Sequence, residues 1–186
     1  MNSALLLVTF LGAMNPARLR LALPEDRGSG RARWDVLGAG SLLLFGVGVA
    51  LVAVSSRLLE ALDISPETFR IAAGIVLGAS GLWALVQPPP SAELVATGWR
   101  AALVPVAFPL LLSPEFAVLM ITAGSLESDG ATLGALAITL VVLNLAGPVL
   151  TGGRAVSRLW LAGSRLLGAA LVVGAVALVI DGIRDV

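Results

Sequence analysis

Six apolar runs, each of about 20 residues, fill most of this chain of 186 residues and leave few folds open to it. They extend approximately from Ser3 to Leu23, Val36 to Ser56, Phe69 to Val86, Ala101 to Ser125, Ala131 to Leu150 and Leu159 to Ile180. Lipid offers a backbone no hydrogen-bond partner, so a run of that length crosses a bilayer as a helix that pairs its own groups. With 58% hydrophobic and 13% charged residues, the chain lies far from ordinary soluble usage. Its mean hydropathy is +0.97. Pro24 to Gly30, Arg57 to Pro66, Pro88 to Pro90, Glu127 to Gly130 and Thr151 to Arg154 separate the runs. These connections are short. The expected fold is a single all-α transmembrane domain, 1–186, with six membrane-spanning helices.

Arginine placement orients that domain, since basic residues favour cytoplasmic loops. All 12 basic residues are arginine. Arg27, Arg31 and Arg33 follow the first run, with Arg18 and Arg20 at that end of it; Arg100 follows the third, and Arg154, Arg158 and Arg165 lie near the loop after the fifth. The opposite side holds Arg57, Arg70 and Arg184, so both termini are expected outside. The first run lacks a basic stretch before it and has a counterpart later in the chain, so it reads as a retained span and not as a cleaved leader. Net charge is zero and no basic patch suggests nucleic acid. Absence of cysteine and histidine removes disulfides, thiol catalysis and Cys/His metal sites. No cofactor is implied. Without lysine, an intramembrane Ser/Lys enzyme is excluded too, and no enzymatic activity is expected.

Two of the runs are interrupted alike, about 98 residues apart: Phe10-Leu-Gly-Ala-Met-Asn15-Pro16 and Phe108-Pro-Leu-Leu-Leu-Ser113-Pro114. Proline removes a backbone hydrogen bond and clashes with the preceding turn, so the break survives only where protein or water meets the freed groups. A shift of about 95 pairs Arg70-Ile-Ala-Ala-Gly-Ile-Val-Leu with Arg165-Leu-Leu-Gly-Ala-Ala-Leu-Val. Three spans per unit turn the second unit over. The chain thus reads as two inverted three-helix repeats, about 1–90 and 98–186, with Pro-broken helices 1 and 4, as in many secondary transporters.

Asn15 and Ser113 are good N-caps, and Pro16 and Pro114 suit the first position of a restarting helix. A restarted helix turns free N–H groups and the positive end of its dipole toward the midplane. Two such starts predict a small polar pocket. Glu115 follows the second break and Arg18 the first, which suits a cross-repeat ion pair, proton coupling or recognition of a solute ammonium group. Asn144, the only amide of span five, either caps that pocket or ties two helices together. The candidate substrate-binding set is Asn15, Pro16, Arg18, Ser113, Pro114, Glu115 and Asn144. Arg70 and Arg165 read as snorkelling at helix starts, and Asp181 as facing the interface near Arg184. Thr9, Thr139 and Ser80 read as hydroxyls bonded to their own backbone. The pairs Gly74/Gly78 and Gly130/Gly134, with Gly38, Gly40, Gly46 and Gly48, suit close helix packing.

Three stretches also carry a family resemblance. Phe69-Arg-Ile-Ala-Ala-Gly-Ile, Leu103-Val-Pro-Val-Ala-Phe-Pro-Leu and the closing span from Leu166-Leu-Gly168 to Asp181-Gly182 resemble the MarC family in order and spacing across nearly the whole chain. Asn15-Pro16 fits that family's early Asn/Asp-Pro. The resemblance implies a multi-pass protein of the bacterial cytoplasmic (inner) membrane, grouped with neutral amino-acid transporters in the LysE exporter superfamily. Where that family reads Gly-Pro-Gly-Ala, this chain has Ser113-Pro114-Glu115-Phe116, and Arg18 and Arg20 follow its first break. Both departures fall at the expected pocket, so a neutral substrate does not carry over.

The leading expectation is a secondary transporter or exporter of a small polar, amino-acid-like solute. Its partners would be the lipid bilayer, the solute, a coupling ion such as H+ or Na+, and further copies of the chain in a homo-oligomer. The alternative is a non-transporting membrane scaffold or a subunit of a membrane complex.

Overall fold

The computed structural model describes residues 3–15, 30–86, 112–149 and 154–185. Among them are six helices and no strand: α1 (Ser3–Met14), α2 (Gly30–Ala61), α3 (Pro66–Val86), α4 (Pro114–Leu126), α5 (Asp129–Val149) and α6 (Arg154–Asp185). Four contain segments long and apolar enough to cross a membrane, namely Leu37–Ala61, Pro66–Val86, Asp129–Ala146 and Leu161–Asp185. Helices α1 and α4 are apolar but have only 12 and 13 residues. At 1.5 Å per residue they cover about 18 and 20 Å, short of the roughly 30 Å hydrocarbon core.

The long helices outrun the apolar windows of the sequence. Helix α2 takes in Arg31, Arg33 and Asp35 at one end and Arg57 and Glu60 at the other; α6 begins at Arg154. Hydropathy marks the depth of lipid, whereas a helix continues into the interface until a cap stops it. Arg165 is therefore no helix start: it lies well inside α6, with its side chain exposed. At the end of α2, Asp63 adopts φ 55°, while its N–H donates to Glu60 O and that of Ile64 to Leu59 O. This pair of bonds is a Schellman stop, with aspartate where glycine is usual.

Glycines set the tightest contact, between antiparallel α3 and α6. A Cβ on Gly74 would lie 2.7 Å from Ala175 O, and one on Gly81 2.9 Å from Gly168 O. A Cβ on Gly182 would lie 3.1 Å from Glu67 O. Gly78 is looser, its added Cβ 3.5 Å from Ala175 Cβ. In lipid, where apolar burial gives helices little reason to associate, such close approach and its dispersion contacts supply the attraction. Gly48 of α2 faces Phe116 and Met120 of α4 and Leu136 of α5. Gly124 of α4 faces Val52 and Ser55, so α2 and α4 run parallel. Gly12 meets Leu167 and Leu171, and Thr9 meets Gly174, so α1 runs antiparallel to α6. The other expected packing glycines, Gly38, Gly46, Gly130 and Gly134, have nothing within 4 Å of an added Cβ.

Consequently Ser3, the 62–65 turn, the Glu127–Ser128 turn and Asp185 share one end of the bundle, called here the terminal end. Trp34 and Trp83, both exposed, lie toward the other end, as indole rings do at a membrane–water interface. The core runs through Leu6, Phe10, Met14, Phe116, Leu119 and Leu136. Large apolar side chains such as Leu42, Ile75, Val141 and Leu166 are exposed on the outside. An outward apolar surface over long apolar helices is that of a multi-pass membrane protein.

Candidate functional site

Both interruptions fall near the middle of the bundle. Gly12, three residues before Asn15, packs against Leu167 and Leu171 of the 32-residue α6. Leu119, six residues after Ser113, borders a cleft with Leu178. Helices α1 and α4 are in contact, and Asn15 and Ser113 are 6% and 4% exposed.

Ser113 behaves as its sequence predicts. Its backbone is extended (φ −83°, ψ 158°), its Oγ accepts from Phe116 N–H at 3.3 Å, and Pro114 opens α4. The cap satisfies one of the N–H groups a helix start leaves over, at a depth where water is scarce. Glu115 is the second residue of α4, half-buried, with its Oε2 atom buried. Asn15 is the first non-helical residue after α1, its N–H donating to Gly12 O at 3.4 Å. Pro16 and Arg18 lie outside the described residues, so the expected second helix start does too. The described residues instead bury the end of α1, with its leftover carbonyls, and the start of α4, with its leftover N–H groups, inside the bundle.

The tripeptide Ser-Pro-Glu at this start has a twin that sequence reading passed over. Ser65-Pro66-Glu67 opens α3, with Ser65 Oγ accepting from Thr68 N–H at 3.2 Å on the exposed surface. The serine-to-N–H cap is the same in both, though Ser65 Oγ also bonds Thr68 Oγ1 at 2.9 Å. The Ser113 start differs in lacking that bond and in its burial.

Asn144 donates from Nδ2 to Ser41 Oγ of α2 and to Leu140 O, each at 2.8 Å. Ser41 lies two turns before Gly48, which faces Phe116 and Met120, so this tie sits at about the depth of Ser113. Asn144 joins two helices there. Thr9 and Thr139 donate to Leu5 O and Ala135 O of their own helices.

A second polar cluster lies toward the terminal end, where α3, α4 and α6 converge. Arg70 Nη1 donates to Asp185 Oδ2 at 2.6 Å. Arg70, Thr122, Glu127 and Asp181 line a cleft of about 30 Å³ whose inner end is Leu119 and Leu178. Sequence reading assigned Arg70 to snorkelling and Asp181 to the neighbourhood of Arg184. Their shared cleft depends on contacts more than a hundred residues apart in the chain, which no local pattern encodes.

Comparison with known protein families, curated proteins and solved structures finds no match for this chain. Fold and site together define a class: an all-helical, multi-pass membrane protein with two half-length helices whose inner ends are buried at mid-depth.

Proposed function

We propose that the protein is a secondary transporter of a small polar, amino-acid-like solute across the cytoplasmic membrane of a bacterium, related to the MarC family. The observation that carries this reading is the buried, Ser113-capped start of α4, a helix that packs against α1, whose end at Asn15 is buried as well. A half-helix start presents N–H donors and positive dipole to an anionic group, and unwound carbonyls beside it accept from a cation or ammonium group. A zwitterion needs both. Glu115 adds a carboxylate within that region, suited to an ammonium group or to proton coupling.

Inverted repeats fit the contact pattern. In α3 and α6 the contacts Gly74–Ala175 and Gly81–Gly168 exchange when residues 94 apart are swapped, Gly74 with Gly168 and Gly81 with Ala175. In α2 and α5, Ser41–Asn144 and Gly48–Leu136 exchange when Ser41 is swapped with Leu136, 95 apart, and Gly48 with Asn144, 96 apart. Antiparallel pairs that map onto themselves with nearly equal offsets support a reading with an axis in the membrane plane relating two three-span halves. The arginine-poor terminal end faces outward in this arrangement.

The test is counterflow into proteoliposomes with a panel of neutral, acidic and basic amino acids, with and without H+ and Na+ gradients. Wild type should exchange at least one solute well above empty liposomes, and Glu115→Gln should lose most of that exchange. Wild type equal to empty liposomes throughout, with copurification of a constant membrane partner, would instead establish the scaffold or subunit role.

A further inference from the structure

The cleft at the terminal end lies on the face of α4 that begins at the break. Glu115, Leu119, Thr122 and Leu126 follow one another at helical spacing, and the last three line the cleft. A straight line of side chains thus leads from Glu115 to the aqueous end of the bundle, over about 17 Å for 11 residues of helix. Leu119, Thr122 and Leu178, 0%, 2% and 3% exposed, interrupt it.

The walls differ in rigidity. On one side stand α3 and α6, locked by backbone-to-backbone approach at Gly74, Gly81 and Gly182, where no side chain can yield. They are further joined by Arg70 and Asp185. On the other stands α4, a helix of 13 residues that packs on α3 and meets α6 mainly across the cleft. Polar residues face each other there: Arg70 and Asp181 from the locked pair, Thr122 and Glu127 from α4. Arg70 Nε is buried and has no hydrogen-bond acceptor among the described residues. A buried guanidinium N–H left over in this way favours any arrangement that admits water or an anionic group. The loose seam at the cleft therefore runs between α4 and α6.

We propose that this cleft is the outer port to the Ser113–Glu115 break, opened by α4 moving away from α6, with Leu119 and Leu178 as the apolar gate and Thr122 closed above them. The port admits water and small zwitterionic or ionic solutes, for which Arg70 and Asp181 offer opposite charges at the mouth. This rests on the transport reading for its purpose, but its test needs no transport.

The chain contains no cysteine, so single cysteines report access directly. Sealed vesicles bearing Glu127→Cys, Glu115→Cys or Thr139→Cys are treated from the terminal side with a membrane-impermeant thiol reagent. Glu127→Cys, half-exposed at the cleft mouth, should react readily and Glu115→Cys slowly. Adding Leu119→Ala should speed labelling of Glu115→Cys by about tenfold or more and leave Thr139→Cys, buried elsewhere, unreactive. Leu178→Ala replaces Leu119→Ala if the latter fails to insert. An inert Glu127→Cys, an unchanged Glu115→Cys, or an equal rise at Thr139→Cys would each overturn the port. If the gate responds as expected while counterflow fails for every solute, the port stands and the transport reading falls.

Discussion

At the scale of single residues, the same three side chains can be ordinary or critical according to depth. Ser65-Pro66-Glu67 and Ser113-Pro114-Glu115 cap helices by one mechanism, a serine Oγ accepting an N–H three residues on. Loss of a serine N-cap costs about 0.5–2 kcal/mol in general, and water softens the loss where it can replace the hydroxyl. Water reaches Ser65, which is exposed, and not Ser113, which is 4% exposed. Ser65→Ala should therefore cost little, about 0.5 kcal/mol, and Ser113→Ala toward 2 kcal/mol, as read by denaturant titration in detergent micelles. Equal losses would mean that the α4 start is wetter than its burial implies. Asp63 offers a contrary case, a residue whose replacement should help. Its φ of 55° costs an L-residue about 1–2 kcal/mol that glycine avoids, partly offset by glycine's greater chain entropy. Asp63→Gly is expected to stabilise by roughly 0.5–1 kcal/mol, seen as a higher unfolding midpoint in the same titration.

At the scale of helices, the α3–α6 contact turns on which glycines touch backbone. Gly74→Ala and Gly81→Ala place a methyl group within 2.7 and 2.9 Å of carbonyl oxygens, so the helices must part, at about 1–3 kcal/mol each. Gly78→Ala meets only another methyl at 3.5 Å and removes a helix-weakening glycine, so it should be neutral or gain up to about 1 kcal/mol. Thermal melts of the three variants in one detergent give the comparison, and a Gly78→Ala loss as large as that of Gly74→Ala would refute the assigned face. The sequence could not make this distinction. It carries the spacing Gly74/Gly78, but the rotation of α3 against α6, which favours Gly74 and Gly81, belongs to the partner helix. Gly130 and Gly134 have identical spacing and touch nothing. What was legible is set locally: the apolar runs, the Ser113 cap and proline, and the short span left to α4. Helix ends past the lipid depth, such as Arg154 and Ala61, were not, because hydropathy says nothing about a helix outside hydrocarbon. Nor was the cleft, since Arg70, Glu127 and Asp181 come from three segments that meet only in the folded chain.

At the scale of the whole molecule, an observation and an expectation of different kind bear on how it sits in a membrane. The fold places Ser3, the 62–65 turn, Ser128 and Asp185 at one end; the distribution of arginines predicts which side that end faces. The first is geometry and the second is a bias of insertion, so they can be tested in one experiment and can fail separately. Single cysteines at Leu62 and Ser128, both exposed at the terminal end, should label in intact cells with an impermeant reagent. Val86→Cys, 80% exposed at the opposite end of α3, should label only after the membrane is permeabilised. If Leu62→Cys and Ser128→Cys behave alike but need permeabilisation while Val86→Cys does not, the bundle is right and its orientation is reversed. If Leu62→Cys and Ser128→Cys differ from each other, α4 and α5 cannot meet the α2–α3 hairpin as described, and the paired contacts that suggest inverted halves lose their basis. The transport reading needs the first pattern, because an outer port bordered by Arg70 and Asp181 has a use only if the terminal end faces outward.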